Sequence, residues 1–262
     1  MPALPKAASA KQVNIENGTE NLDSDLSSEE TSLSSIDTSQ YETILTEEQL
    51  QKWVQKLSTA KLFAIDTETT ALNIIAADLV GISFAIEPGE AAYMPLTHNY
   101  PGVPAQLEQA LALEHLKPIL ENPSIKKIGQ NIKYDQSIFK GVGIDLQGAQ
   151  FDTMLESYVL NASASRHDMD SLASFYLDEK TTKYEEICGK GAKQTPFADV
   201  AIDVATHYAA EDADITLKLH LALWEQLEKE PQAKVFTDIE MPLVQVLASM
   251  EQTGVYLDAN EL

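Results

Sequence analysis

One cysteine, one arginine and no long apolar run characterise this sequence of 262 residues. With Cys188 alone, an intramolecular disulfide is excluded, and so is a zinc cluster built from cysteines. Arg166 is the sole arginine, and 18 basic residues face 41 acidic ones, for a formal net charge of −23. Such a balance excludes a domain that grips duplex nucleic acid by neutralising its phosphates. Any nucleic acid bound here has to be held by metal ions, by stacking, by a few lysines, or by a basic neighbouring domain. No apolar run approaches the roughly 20 residues of a membrane span. The first fifteen residues show no long apolar stretch after their lysines, as a signal peptide would. These features are those expected of a cytoplasmic protein.

The excess of acid is not confined to one end. Met1 to Leu45 carries eight acidic and two basic residues, a net of −6, which leaves −17 for the remainder. Residues 1–40 read as a disordered acidic tail: Asn17 to Gln40 is Ser, Thr, Asn, Asp and Glu with almost no large apolar side chain, too little to offset the entropy of ordering it. An interdomain linker is the reading, and a partner-binding tail the alternative. Order is expected from Tyr41. Thr46 to Gln49 fits a capping box, followed by Leu50, Trp53, Val54 and Leu57 at helical spacing. Lys61 to Asp66, Leu79 to Ile86 and Ala91 to Pro95 read as strands, the last two joined as a hairpin by Pro88-Gly89. A helix over Leu107 to Leu120, a strand over Ser124 to Gly129 and a helix over Ile132 to Phe139 follow. Beyond Gly148 the pattern is mostly helical: Asp152 to Leu160, Met169 to Leu177, a looser stretch from Thr181 to Pro196, a long helix from Val200 to Leu227, and another from Glu240 to Thr253. Strands first with helices interleaved and following indicate an α/β domain with a mixed sheet.

Three segments carry chemistry. In Phe63 to Thr69 (FAIDTET), Asp66 and Glu68 stand two apart at the end of a buried strand, so they share a face and can converge on one hard cation. Alone, this pair reads first as the solvated end of a strand. In Gly129 to Asp135 (GQNIKYD), Asn131 can cap a new helix and Asp135 lies one turn on. Alone, that is equally an ordinary capped helix. In Tyr208 to Asp214 (YAAEDAD), Tyr208 and Asp212 are one helical turn apart with small alanines around them. Glu211 and Asp214 project elsewhere and are expected in solvent. Alone, Tyr208 could be a core aromatic. His207 points about 100° away from Tyr208 around the helix, so a structural role is expected for it. His98, His115 and His220 are read in the same way, and Cys188 as a small buried residue, since no histidine motif supports a nucleophile.

Together, D-x-E after a buried strand, N-x-x-x-D and Y-x-x-x-D late in a helix resemble the signature of the DEDD exonucleases of the tyrosine type. The resemblance narrows further. FAIDTET, LVGISFAIEPGEAAYMP, IGQNIKYD, FDTMLESYVLN, RHDMDSLA, YAAEDADITLKLH and IEMPLVQVLASMEQTGV are similar to the proofreading 3′–5′ exonuclease domain of bacterial family A DNA polymerases, over roughly Tyr41 to Leu262. The resemblance implies a ribonuclease H-like mixed β-sheet flanked by helices. It implies an exonuclease domain over 41–230 and, over 231–262, the start of a polymerase region, with the chain ending inside it. The polymerase active site is not in the sequence.

What the resemblance implies for the site is specific. Asp66, Glu68, Asp135 and Asp212 would hold two divalent ions, Mg²⁺ or Mn²⁺, with Zn²⁺ compatible with one site, and Asp66 would bridge them. Tyr208 would position the attacking water. Leu72 corresponds to a wedge, Tyr184 to a stacking aromatic, Asn131 and Tyr134 to residues beside the sugar and phosphate, and Arg166 to a phosphate contact. The substrate would be a single-stranded or frayed DNA 3′ end, the partner the polymerase region of the parent chain, and the state a monomer. Three alternatives remain at this point: an RNase D-like exonuclease trimming RNA 3′ ends, a catalytically inert scaffold, and an interaction module working through the tail.

Overall fold

A computed structural model describes residues 41–163 and 166–258. The acidic tail read for residues 1–40 lies outside them. Six strands form one mixed sheet: β1 (Glu42–Thr43), β2 (Leu62–Thr69), β3 (Leu79–Glu87), β4 (Glu90–Pro95), β5 (Lys126–Gly129) and β6 (Ala149–Asp152), in the order β1-β4-β3-β2-β5-β6. β2, β3 and β4 are antiparallel neighbours, while β1 joins β4, and β5 and β6 extend from β2, in parallel. The hairpin at Pro88-Gly89 forms as the sequence indicates, with Glu87 opposite Glu90. The ribonuclease H-like mixed sheet expected from the resemblance is thus present.

Period-2 alternation along β2 sorts its side chains to two faces. Phe63 and Ile65 join the larger core, with Leu50, Trp53 and Leu57 of α1 (Glu47–Thr59), Leu116 and Ile119 of α2 (Gln109–Leu120), and Ile132 and Phe139 of α3 (Ile132–Gly141). Ala64, between them, packs with Ala85 and Ala91 against Ala210, Ala213 and Leu217 of the long helix α7 (Ile202–Leu227). Alanine facing alanine brings the helix backbone close to the sheet. Asp66 and Glu68 follow Ala64 on that same side, so the close approach carries Asp212 of α7 toward them. Across the sheet Glu68 pairs with Gly81, where a Cβ would lie 2.2 Å from the Tyr93 hydroxyl oxygen. Only glycine fits there. A bulge between Glu68 and Thr69 then turns the chain out of the sheet.

Chain beyond β6 runs through α4 (Thr153–Asn161) to α5 (Met169–Leu172), which continues as a π turn over Ala173–Leu177. The helix read over Met169 to Leu177 is therefore two turns of different pitch. The looser stretch holds α6 (Tyr184–Cys188) and a 3₁₀ turn over Gly191–Lys193, and a second 3₁₀ turn over Phe197–Asp199 follows it. After α7 a single turn, α8 (Ala233–Val235), passes through a π turn into α9 (Met241–Thr253). β1 and β6, of two and four residues, went unread. Among the described residues no helix is long and apolar enough to cross a membrane.

Two expectations need correction. Asn131 does not cap α3: it adopts a left-handed backbone with φ 63° and makes no side-chain cap bond. The cap comes from Asp152, whose carboxylate accepts from the amides of Asn131 (3.2 Å) and Ile132 (2.8 Å) on α3, and of Met154 (3.0 Å) and Leu155 (3.2 Å) on α4. One buried side chain thus closes two helices, and the Asn131 side chain lines the cleft instead. Asp152→Ala is expected to cost about 2–4 kcal/mol, the sum of two lost caps, measured by urea unfolding. Nor are Glu211 and Asp214 solvated; both are buried. Asp214 accepts from the Tyr41 hydroxyl (2.7 Å) and the Gly89 amide (2.7 Å) and pairs with Lys218 (3.0 Å), so it ties Tyr41 and the β3–β4 turn to α7.

Candidate active site

Carboxylates from three elements meet in one cleft. β2 supplies Asp66 and Glu68 at its C-terminal end, α3 supplies Asp135 in its first turn, and α7 supplies Asp212 in its middle. Oxygens of Asp66, Glu68 and Asp212 lie within 4.8 Å of one another. Asp135 accepts a 2.6 Å hydrogen bond from the Thr67 hydroxyl, which fixes it beside the trio. The cleft has a volume of about 620 Å³ and is lined by these four acids together with Tyr208, Tyr134, Asn131, Tyr184 and Leu72, and among the described residues by no lysine or arginine.

Electrostatics follow from that composition. Burial pushes Asp66 up to about 6. It also lifts Glu68, Asp135 and Asp212 well above the usual carboxylate range, and in each of the three the charge of Asp66 is the largest electrostatic addition. Hydrogen bonds from Thr67 to Asp135 and from Tyr208 to Asp212 offset this only in part. Burial, then the charges of Asp212, Glu68 and Asp66, hold the Tyr208 phenol far above its ordinary value. It stays protonated and acts as a donor.

The donor set fits a hard divalent cation. Carboxylate oxygens are the ligands that Mg²⁺ and Mn²⁺ prefer. Without a metal, proton uptake relieves the mutual repulsion, and a bound cation would relieve it in the proton's place.

The remaining residues singled out in the sequence take defined places. Leu72 stands at the lip, 93% exposed. Its loop is fixed from below, for the Tyr134 hydroxyl donates to the Ala71 carbonyl (2.6 Å) and lies 2.5 Å from the Thr69 hydroxyl. Tyr184 stands opposite, its ring 6.2 Å from that of Tyr208 and edge-on to it. Arg166 does not line the cleft; its guanidinium is exposed, 3.8 Å from Asp168. Among the described residues no histidine lines the cleft either. His98 bonds Tyr93 and the Val200 carbonyl, and His220 bonds the buried Glu156 (2.7 Å). Gln130 and Gln194 line the cleft without having been singled out. Gln130 directly precedes Asn131 and was within reach of sequence reading. Gln194 sits in an irregular segment, where no period gives it a direction.

Solved structures share this architecture. RNase D of Trypanosoma brucei superposes with a TM-score of 0.65 at 14% identity, covering 85% of this chain and 77% of that one. Escherichia coli RNase D, an exoribonuclease involved in structured RNA processing, gives 0.60 at 21%, covering 80% and 51%. At such identities the likeness is one of fold, and the fold is that of the ribonuclease H-like exonucleases. Sequence likeness is closer. DNA polymerase I of Pseudomonas aeruginosa is 52% identical over 225 residues, 85% of this chain and 25% of the relative, and that of Rhizobium leguminosarum is 40% identical over 241 residues, 85% and 24%. Residues 41–228 match the family model described as 3′–5′ exonuclease. The chain belongs to this 3′–5′ exonuclease domain family of bacterial DNA polymerase I, and it spans about a quarter of the length of those relatives.

Proposed function

We propose that the chain is a proofreading exonuclease domain that removes nucleotides one at a time from a DNA 3′ end by metal-assisted hydrolysis. One observation carries the reading: acids from three separate elements converge in one cleft. Asp66, Glu68 and Asp212 would hold one divalent ion, and Asp135 with Asp66 a second. When bound, such a pair supplies a lowered pKa for the attacking water and charge neutralisation at the leaving 3′-oxygen.

The protein's own groups do the rest. Tyr208, protonated and held against Asp212, orients the water for attack on the terminal phosphorus. Leu72, exposed on a loop pinned by Tyr134, wedges against the terminal base, and Tyr184 stacks on it. Asn131 and Tyr134 lie beside the sugar and phosphate. Arg166, outside the cleft, would contact a phosphate of the strand. Products are a 5′-nucleotide and a strand one residue shorter. In this reading residues 41–230 form the exonuclease domain and 231–262 begin a polymerase region, which is the partner in cis of a monomer acting on frayed ends in the bacterial cytoplasm.

Matched single-stranded DNA and RNA oligonucleotides, labelled at the 5′ end, test the substrate assignment. DNA is expected to shorten in single-nucleotide steps from its 3′ end, and RNA more slowly. RNA degraded at the same rate or faster would shift the assignment to RNA trimming, the activity that RNase D-like relatives of the fold suggest.

A further inference from the structure

Glu211 is adjacent to Asp212 yet turned away from the cleft, buried, with both carboxylate oxygens occupied. Oε2 accepts from the Thr182 amide at 2.5 Å and Oε1 from the Thr182 hydroxyl at 3.3 Å. Neighbouring Thr181 is fixed in turn, its hydroxyl donating to Asp170 at 2.6 Å. Tyr184 begins α6 only two residues beyond Thr182. From there its ring stacks on Phe197 (6.3 Å, 17° between planes) and stands edge-on to Tyr208. Gln194, which reaches the Tyr184 hydroxyl, closes the same segment over the cleft.

Helix α6 has five residues, and the segment around it is otherwise turns. Such a segment has little secondary structure to set its own position. A carboxylate acceptor makes stronger bonds than a neutral one. Placing another acid beside four that already repel is costly, and Glu211 does add to the repulsion felt by Asp212. That cost is intelligible if the anchor is needed.

We infer that Glu211 is a positioning residue, a clamp from α7 that holds the Thr181–Gln194 segment so that Tyr184 meets the substrate strand. The inference rests on the nuclease reading above. It separates two tasks on one helix turn: Asp212 serves the reacting phosphate, while Glu211 serves the grip on the strand.

Glu211→Ala, Glu211→Gln and Tyr184→Ala are compared with the wild-type chain on two substrates. One is a single-stranded DNA oligonucleotide, and the other is methyl p-nitrophenyl phosphate, a diester with no nucleobase for Tyr184 to stack on. Glu211→Ala should raise KM for the oligonucleotide about tenfold, the loss of a charge-assisted bond, with little change in kcat or in ester hydrolysis. Glu211→Gln retains an acceptor for the Thr182 amide and should restore most of the affinity. Adding Glu211→Ala to Tyr184→Ala should cost little more, because the clamp acts through that ring. Equal losses on both substrates, or independent additive losses in the double variant, would overturn the inference. If Glu211→Ala does not fold, Glu211→Met, which keeps the side-chain volume without a carboxylate acceptor, carries the same comparison. Silence of the wild type on both substrates would show failure of the nuclease reading itself and take this inference with it.

Discussion

Asp66→Ala should lower degradation of single-stranded DNA by about three orders of magnitude or more, equivalent to roughly 4 kcal/mol of lost transition-state stabilisation, while the chain remains folded. Asp66 is the hub of the cluster. Its oxygen is within 4.8 Å of those of Glu68 and Asp212, and its charge is the main electrostatic burden on each of the other three acids. Removing it deprives both proposed ions of a ligand. Removing it also relieves repulsion, so the melting temperature measured in EDTA should equal or exceed that of wild type. Turnover close to wild type would refute the role assigned to Asp66. A loss of activity that tracks a loss of the far-ultraviolet dichroism signal would move the effect from the site to the fold.

Chelation is expected to have an effect of the same size and to expose a dependence on pH. EDTA should abolish hydrolysis, and Mg²⁺ or Mn²⁺ should restore it. In the metal-free protein the four acids carry folded pKa values above their unfolded ones, about 6 for Asp66 and higher than normal for Glu68, Asp135 and Asp212. A carboxyl of this kind binds its proton more tightly in the folded chain. Its contribution to stability is complete below the unfolded value of about 4 and is lost as pH rises through the folded value. The melting temperature in EDTA should therefore fall from about pH 4 upward, through pH 6 and beyond. Saturating Mg²⁺ should flatten that fall, because it substitutes for the proton. A melting temperature that rises over this window in EDTA, or is indifferent to Mg²⁺, would contradict a cation-relieved cluster.

Sequence alone went far with this protein wherever the signal was local. The strand that delivers Asp66 and Glu68, the Pro88-Gly89 hairpin and the capping box at Thr46 are all encoded within a few residues, by period and by turn chemistry. So is the shared helical face of Tyr208 and Asp212, and the acids of the cleft were found through spacing and resemblance together. β1 escaped because two residues carry no period, and β6 because Ala149–Asp152 holds a single large apolar residue, Phe151.

What only the tertiary structure decided is which polar groups face inward. By helical projection Glu211 and Asp214 belong on a solvated stripe, and Asn131 stands at a helix start where a cap is expected. In the folded chain Thr182 reaches Glu211, Tyr41 and Gly89 reach Asp214, and Asp152 reaches α3 from 20 residues away. A buried polar residue is tolerated when a partner satisfies it, and partners that arrive from distant chain leave no mark on the local pattern. The amino acids fixed which groups could do chemistry; long-range packing determined which of them were turned toward the cleft and which became its supports.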